Sequence, residues 1–333
     1  VPGYACRKLT PCPDILGLSE TFPEKFPYLL ESSARGPLGS RSFLLFADGE
    51  ALVLDPLTGL RGPGEGSTFF ERLEDWYQQE RQVPDQGSNT LPFELPIVGG
   101  WFVYLGYEAV AEIEPKLQLP PNLSGLPDAL AHRCGAAIVV EHHATDPAFD
   151  QAVLVAETEQ QLEEVLELIE AFAAAGNPHH GQKVPALPAR MTEEDPQRFI
   201  DSVNRIHDYL LAGDVFQVNV SRPWSGTFET DIDPAALYRA LRKSNPAPFA
   251  GLLRWQNCVM LSSSPERLVQ VTGDRIQTRP IAGTRPRGGS LEHDQALSDE
   301  LIGNLKERAE HVMLIDPVSY THLRAHETIH AIS

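Results

Sequence analysis

No CxxC pair occurs in this sequence, and its four cysteines, Cys6, Cys12, Cys134 and Cys258, are scattered. Cysteine usage of that kind fits a reduced, cytoplasmic, soluble protein. No run of about 18 apolar residues is present, which leaves nothing to cross a bilayer as a helix. Basic residues are few: 27 Lys and Arg stand against 46 Asp and Glu, a net charge of −19. A chain so acidic repels phosphate backbones and anionic lipid, so nucleic-acid and membrane partners are not expected. The start, at Val1, has no methionine and no charged segment leading into an apolar one, so no secretion signal is visible and a fragment is expected at that end. Internal repeats and low-complexity tracts are also missing.

What is there is enough for a large core. The 333 residues are 42% hydrophobic, which suits two domains or one large double-layer domain. Two strands, 42–47 and 51–55, read as a hairpin around Asp48-Gly49. Thr68 and Glu71 have capping-box spacing ahead of a helix to about Gln82, with Phe69, Leu73 and Trp76 recurring at helical intervals. The apolar run 99–107 suits a buried strand, followed by strands at 136–141 and 151–156 and a helix capped by Thr158. Residues 174–191, with three prolines and the solvated pair His179-His180, read as a linker. Beyond it a helix capped by Thr192 buries Phe199, Val203, Ile206 and Leu210 and stops at Gly213. Residues 215–220 alternate like a strand, and Asp233-Pro234 opens another helix. Strands follow at 249–255 and 259–263, then a hairpin of 267–271 with 274–278. One long helix, 291–315, turns Leu297, Leu301, Leu305, Val312 and Met313 inward.

The chemistry gathers late in the chain. Arg279-Pro280-Ile281-Ala282-Gly283-Thr284-Arg285-Pro286-Arg287-Gly288 is a loop stiffened by prolines, in which Gly283 admits close approach of backbone to a ligand and Thr284 offers a hydroxyl. Glu307 and Glu310, spaced i, i+3, lie on one face of a helix and can supply oxygen ligands to a hard cation. Taken alone, such a pair is more often a solvated face and such a loop only a loop. The order of the pieces changes that. Ser263-Ser264-Pro265-Glu266, then the Pro-Ile-Ala-Gly-Thr-Arg loop, then Lys306-Glu307-Arg308-Ala309-Glu310-His311 closely resembles the chorismate-utilising enzymes, a family that includes the component I chains of anthranilate synthase and aminodeoxychorismate synthase. The resemblance extends to Leu29-Leu30-Glu31-Ser32, Gly213-Asp214-Val215-Phe216-Gln217-Val218-Asn219 and Asn245-Pro246-Ala247-Pro248-Phe249.

The resemblance implies an α+β fold, a four-layer α/β/β/α sandwich with two large, mostly antiparallel sheets packed face to face. It divides the chain into an N-terminal domain, 1–173, and a partial chorismate-binding domain, 192–316. It implies Mg²⁺ at Glu307 and Glu310, a pocket lined by Ala282, Gly283 and Thr284, and Glu266 as the acid that protonates the departing ring hydroxyl, since hydroxide is a poor leaving group. Gln217 stands where water-using relatives carry lysine; a neutral glutamine suits ammonia, which needs no deprotonation. That ammonia would come from a separate glutamine amidotransferase subunit, because no glutaminase cysteine motif surrounds any of the four cysteines. Leu30, Glu31, Ser32, Pro246, Pro248 and Phe249 correspond to an amino-acid regulatory pocket, altered here at Ala247 and Phe249.

The product is divided between two readings. Ala282 replaces a lysine common in aminodeoxychorismate synthases and favours anthranilate. The segments 99–115, 262–267 and 276–280 and the altered pocket favour 4-amino-4-deoxychorismate, on the way to 4-aminobenzoate and folate, and this is the reading preferred. The last stretch, 317–333, departs from the family pattern and resembles translated adapter read-through, so the chain as it stands is expected to be inactive. It contains His326-Glu327-Thr328-Ile329-His330, a short zinc-protease pattern without a third ligand. A non-catalytic amino-acid-binding module would explain the N-terminal half but leave Glu266, Thr284 and Glu310 unused.

Overall fold

A computed structural model describes residues 4–36, 38–81, 97–117, 119–176, 187–215 and 217–315. They fall into two compact units. The first comprises the described residues up to Pro185 together with Ile232–Pro265; the second comprises those from Ala186 to Asp231 and from Glu266 onward. This differs from the linear division read from sequence, since 232–265 packs with the N-terminal part.

The first unit is built on a nine-stranded sheet whose pairings are all antiparallel. Its strands are β1 (Ala5–Leu9), β2 (Tyr28–Glu31), β3 (Arg41–Asp55), β4 (Gly59–Arg61), β5 (Gly100–Leu105), β6 (Ala129–Glu141) and β7 (Gln151–Ala156). After β8 (Arg190–Glu193) and β9 (Trp224–Thr227), which form a separate ribbon in the second unit, β10 (Phe249–Trp255) and β11 (Cys258–Ser264) complete it. The main order is β1-β7-β6-β3-β2-β10-β11, with β4 on β3 and β5 on β6. Period-two alternation divides the core by face. Leu44, Phe46, Ile138, Val140 and Leu154 pack under the helices α1 (Ile15–Thr21), α4 (Glu159–Ala174) and α6 (Pro234–Ser244), whereas Leu45, Val139, Val155 and Leu253 form the opposite cluster. Beside that second cluster, Trp76 and Phe69 of α2 (Phe69–Glu80) cover Ala129 and Ala131; a one-turn helix, α3 (Val110–Ile113), follows β5.

Several sequence expectations give way here. The segments 42–47 and 51–55 are one strand, β3, because both halves pair with β6 across an irregular register at Ala47–Ala51. Asp48 makes a bulge, not a hairpin turn, accepting from Gly135 N at 2.9 Å. The run 99–107 is only partly buried: β5 pairs with β6 alone among the described strands, so Phe102 points inward while Val103 and Leu105 are exposed.

The second unit holds α5 (Pro196–Ala212), the ribbon of β12 (Gln270–Thr272) with β13 (Arg275–Gln277), α7 (Leu291–Gly303) and α8 (Leu305–Ile315). The cap of α5 is Asp195, accepting from Gln197 N with Pro196 at the first helical position, not Thr192, which lies in β8. Gly213 ends that helix in the left-handed region at φ 79°, as expected. Residues 215 and 217–220 form no strand, and the long helix 291–315 is broken at Asn304. No described residue of this unit is buried: Leu210 on α5 and Leu305 and Val312 on α8, read as inward-facing, are exposed. Among the described residues there is one large antiparallel sheet with two two-stranded ribbons, and the α+β class stands. His179-His180 and 316–333, with the His326–His330 pattern, lie outside the described residues.

Candidate functional site

The β12–β13 hairpin turns at Gly273 and delivers the chain into the Arg279–Gly288 loop. Ion pairs and backbone bonds then hold that loop against α7 and α8. Arg287 pairs with Asp294 at 2.7 Å, and the same carboxylate accepts from Gly288 N at 2.9 Å. Arg285 reaches both helices: its Nε donates to Glu300 Oε1 at 3.1 Å and its Nη1 to Glu307 Oε1 at 3.3 Å, with Thr284 O also 2.9 Å from Nη1. The bonds to Glu307 and then Glu300 hold the Arg285 guanidinium above its ordinary value. It is a fixed cation.

Glu307 is placed by a cap. The Asn304 side chain accepts from Lys306 N at 3.0 Å and Glu307 N at 3.2 Å, satisfying orphan donors in the first turn of α8. The break between α7 and α8 therefore puts Glu307 where the positive end of a helix favours a carboxylate. Gly283 lies directly against it: a Cβ at that position would fall on the Glu307 carboxyl group. The absence of a side chain at 283 is what lets loop and carboxylate meet.

Of the residues picked from sequence, the structure joins Gly283, and through Arg285 the loop carrying Ala282 and Thr284, to Glu307. Glu310 sits one turn beyond Glu307, half-buried, with no side-chain hydrogen bond or ion pair to the described residues. Glu266, two residues past the end of β11, and Gln217, after α5, are exposed in the same unit, as is Thr284. Arg285, Glu300 and Asn304 were not singled out. The arginine was visible as part of the loop, but its partners are 15 and 22 residues away and only the fold supplies them.

The second set of residues lies in the first unit. Leu30 and Glu31 of β2 pair with Gly251 and Ala250 of β10, just after Phe249. Ser32 Oγ lies 2.8 Å from both Arg41 O and Pro248 O, its single proton serving one at a time, and Ser32 N donates to Ser42 Oγ at 3.0 Å. Ser33 N and Ala34 N donate to Ala247 O, while Glu31 accepts from Arg242 at 2.7 Å. Leu30, Glu31 and Ser32 thus meet the turn of Pro246, Pro248 and Phe249. Behind Ser42, His142 Nε2 lies at 2.6 Å and the His142 Nδ1 at 2.9 Å from Asp150. This is a serine–histidine–aspartate chain, but Ser42 is fully buried, so it is a structural relay and not a nucleophile.

With this geometry in place, the likeness to known proteins is specific. The model of a family described as chorismate binding enzyme matches residues 60–321. The chain is 35% identical over 324 residues to anthranilate synthase component 1 of Thermus thermophilus, covering 92% of this chain and 64% of that one. It is 47% identical over 118 residues to aminodeoxychorismate synthase component 1 of Bacillus subtilis, covering 35% of this chain and 25% of that one. In fold it is similar to the crystal structure of anthranilate synthase component I from Streptococcus pneumoniae, with a TM-score of 0.65, 24% identity, and coverage of 85% of this chain and 61% of that one. The chain thus spans about half to just under two thirds of the length of the anthranilate synthase component 1 relatives it matches. With most of its length inside the family match and the fold in agreement, the chain belongs to the chorismate binding enzyme family.

Proposed function

We propose that the chain is component I of a synthase that aminates chorismate with glutamine-derived ammonia, and that its product is 4-amino-4-deoxychorismate. The observation that supports this reading is the cluster of Gly283, Arg285 and Glu307, in which a glycine lets the loop meet a carboxylate that an arginine holds. A dicarboxylate substrate needs added positive charge there, which a cation held by Glu307 and Glu310 would supply. Thr284 offers a hydroxyl at the loop, Glu266 a carboxyl group able to protonate the leaving hydroxyl, and Gln217 a neutral side chain compatible with ammonia.

The donor set also fits Mg²⁺. Two carboxylates, Glu307 and Glu310, are enough for an ion that usually keeps several waters and takes further oxygen from its substrate. Among the described residues no group of three or more potential ligands is assembled. Bound there, Mg²⁺ would supply positive charge for a substrate carboxylate; Arg285 already holds Glu307 in orientation for it. Both relatives are named as component 1 of a synthase, which supports a separate amidotransferase partner.

A second reading, chorismate to anthranilate and pyruvate, is favoured by Ala282, whose methyl group cannot add to the ring as a lysine amine could, and by the longer match to the Thermus thermophilus relative. Product identification separates the two. The suitable protein is this chain joined to the part of the Thermus thermophilus relative that the match leaves uncovered, given chorismate, ammonium and Mg²⁺. The preferred reading predicts 4-amino-4-deoxychorismate by mass spectrometry; fluorescent anthranilate as main product selects the second.

A further inference from the structure

At the C-terminal end of α2 the first unit has a cleft of about 190 Å³, bordered by Tyr4, Tyr77, Trp101, Gly99, Arg133 and the pair Glu80 and Glu157. We propose that this cleft binds a small organic ammonium ion carrying one ring-sized apolar group.

The charge arrangement decides the sign of the ligand. Arg133, the buried cation, has no free donor: its Nε bonds Glu80 at 2.7 Å, its Nη2 bonds both oxygens of Glu157 at 2.7 and 2.8 Å, and its Nη1 reaches Gly100 O at 2.8 Å and Cys134 O at 3.3 Å. All five guanidinium protons are thereby used, so Arg133 has no donor left for an anion. The carboxylates are different, since each ionised group offers about four lone-pair sites. Glu157 spends two on Arg133, and Glu80 spends one on Arg133 and one on Trp76 Nε1 at 2.5 Å. The last turn of α2 carries no basic residue of its own, so its negative end adds to the two carboxylates. Burial, with Asp48 and Glu80 adding to it, pushes the Glu157 carboxyl up in spite of Arg133.

The walls suit the apolar part of such an ion. Trp101 lies under the Arg133 guanidinium at 4.4 Å and meets Tyr77 at 5.8 Å between centroids, so the cleft already stacks one cation on an aromatic face. Gly99 keeps the floor open, because a Cβ there would fall on the Glu157 carboxyl group. A cavity of about 150 Å³ holds a benzene ring, so this one has room for a benzyl group and little more. Arg81, exposed at the rim, opposes the ligand and gives the test its sign.

The site lies wholly in the first unit and is independent of which amination the chain supports. The test titrates the intact chain with benzylammonium and with benzyl alcohol as the neutral analogue, followed by calorimetry. Saturable binding of benzylammonium with Kd on the order of 1 mM is expected, with benzyl alcohol weaker by about tenfold or more. Tyr77→Ala, at a half-exposed position outside the ion-pair network, should weaken it several-fold, and Arg81→Ala should tighten it. Equal binding of the alcohol, a response that does not saturate, or insensitivity to both substitutions would overturn the proposal.

Discussion

Gly283 carries the most exposed expectation at the scale of single residues. Gly283→Ala places a methyl group on the Glu307 carboxyl group, so in the joined chain it should cut chorismate turnover by at least about tenfold, while the thermal midpoint of the first unit stays unchanged; unaltered turnover would separate loop from carboxylate. On the proposed role, Glu310→Gln takes a carboxylate from the Mg²⁺ site at a position without other partners among the described residues, and should abolish turnover with the fold intact. Near-normal rates in that variant would return Glu310 to the solvated face. Asp150 gives a pH-dependent test in the other unit. Burial alone would raise its carboxyl group, but bonds from Arg35, from His142 and from His143 N hold it well below the usual carboxylate range. A depressed carboxyl group stabilises the fold above its unfolded value, about 4, and loses that contribution as pH falls below it. Asp150→Asn should therefore flatten the acid side of the urea-midpoint profile; an unchanged slope would contradict it. That Glu307 and Glu310 share one helix was legible in the sequence because i, i+3 spacing is local. Arg285 was not legible as the partner of Glu307, because its bonds to Glu300 and Glu307 exist only after α7 and α8 fold back on the loop.

Individual elements followed their local signals wherever capping chemistry was complete. The capping box of Thr68 and Glu71 is formed in full, and Thr158 caps α4 by accepting from Gln161 N. Thr68→Ala should accordingly cost about 1 kcal/mol, read from the urea midpoint. Where two signals competed, the sequence misled. Thr192 precedes an acidic stretch that looks like a helix start, but Asp195 with Pro196 directly after it is the stronger cap. Asp48-Gly49 has the composition of a hairpin turn, yet β6 is long enough to pair with both halves of β3, and the sheet turned the dipeptide into a bulge. The break at Asn304 was hidden because the apolar residues on either side keep helical spacing across it.

For the whole molecule the contrast between the two units matters most. The first has a divided core in which Leu154 is fully buried, and Leu154→Ala should destabilise it by about 2–5 kcal/mol. Among its described residues the second has none buried and leaves Leu211, Leu268, Leu291 and Leu305 largely exposed. Periodicity in α5 and α8 picked out apolar residues; it could not say that nothing among the described residues covers them, because covering is a property of the neighbours and not of the helix. Among the described residues no helix is long and apolar enough to cross a membrane. The central claim, that Glu307 and Glu310 serve an Mg²⁺-dependent amination of chorismate, is tested most directly by following chorismate, ammonium and the joined chain by mass spectrometry with and without excess EDTA. The account predicts an aminated product that disappears with the chelator and returns with added Mg²⁺. Amination that continues undiminished in EDTA, or a folded joined chain that leaves chorismate unaminated, would contradict it.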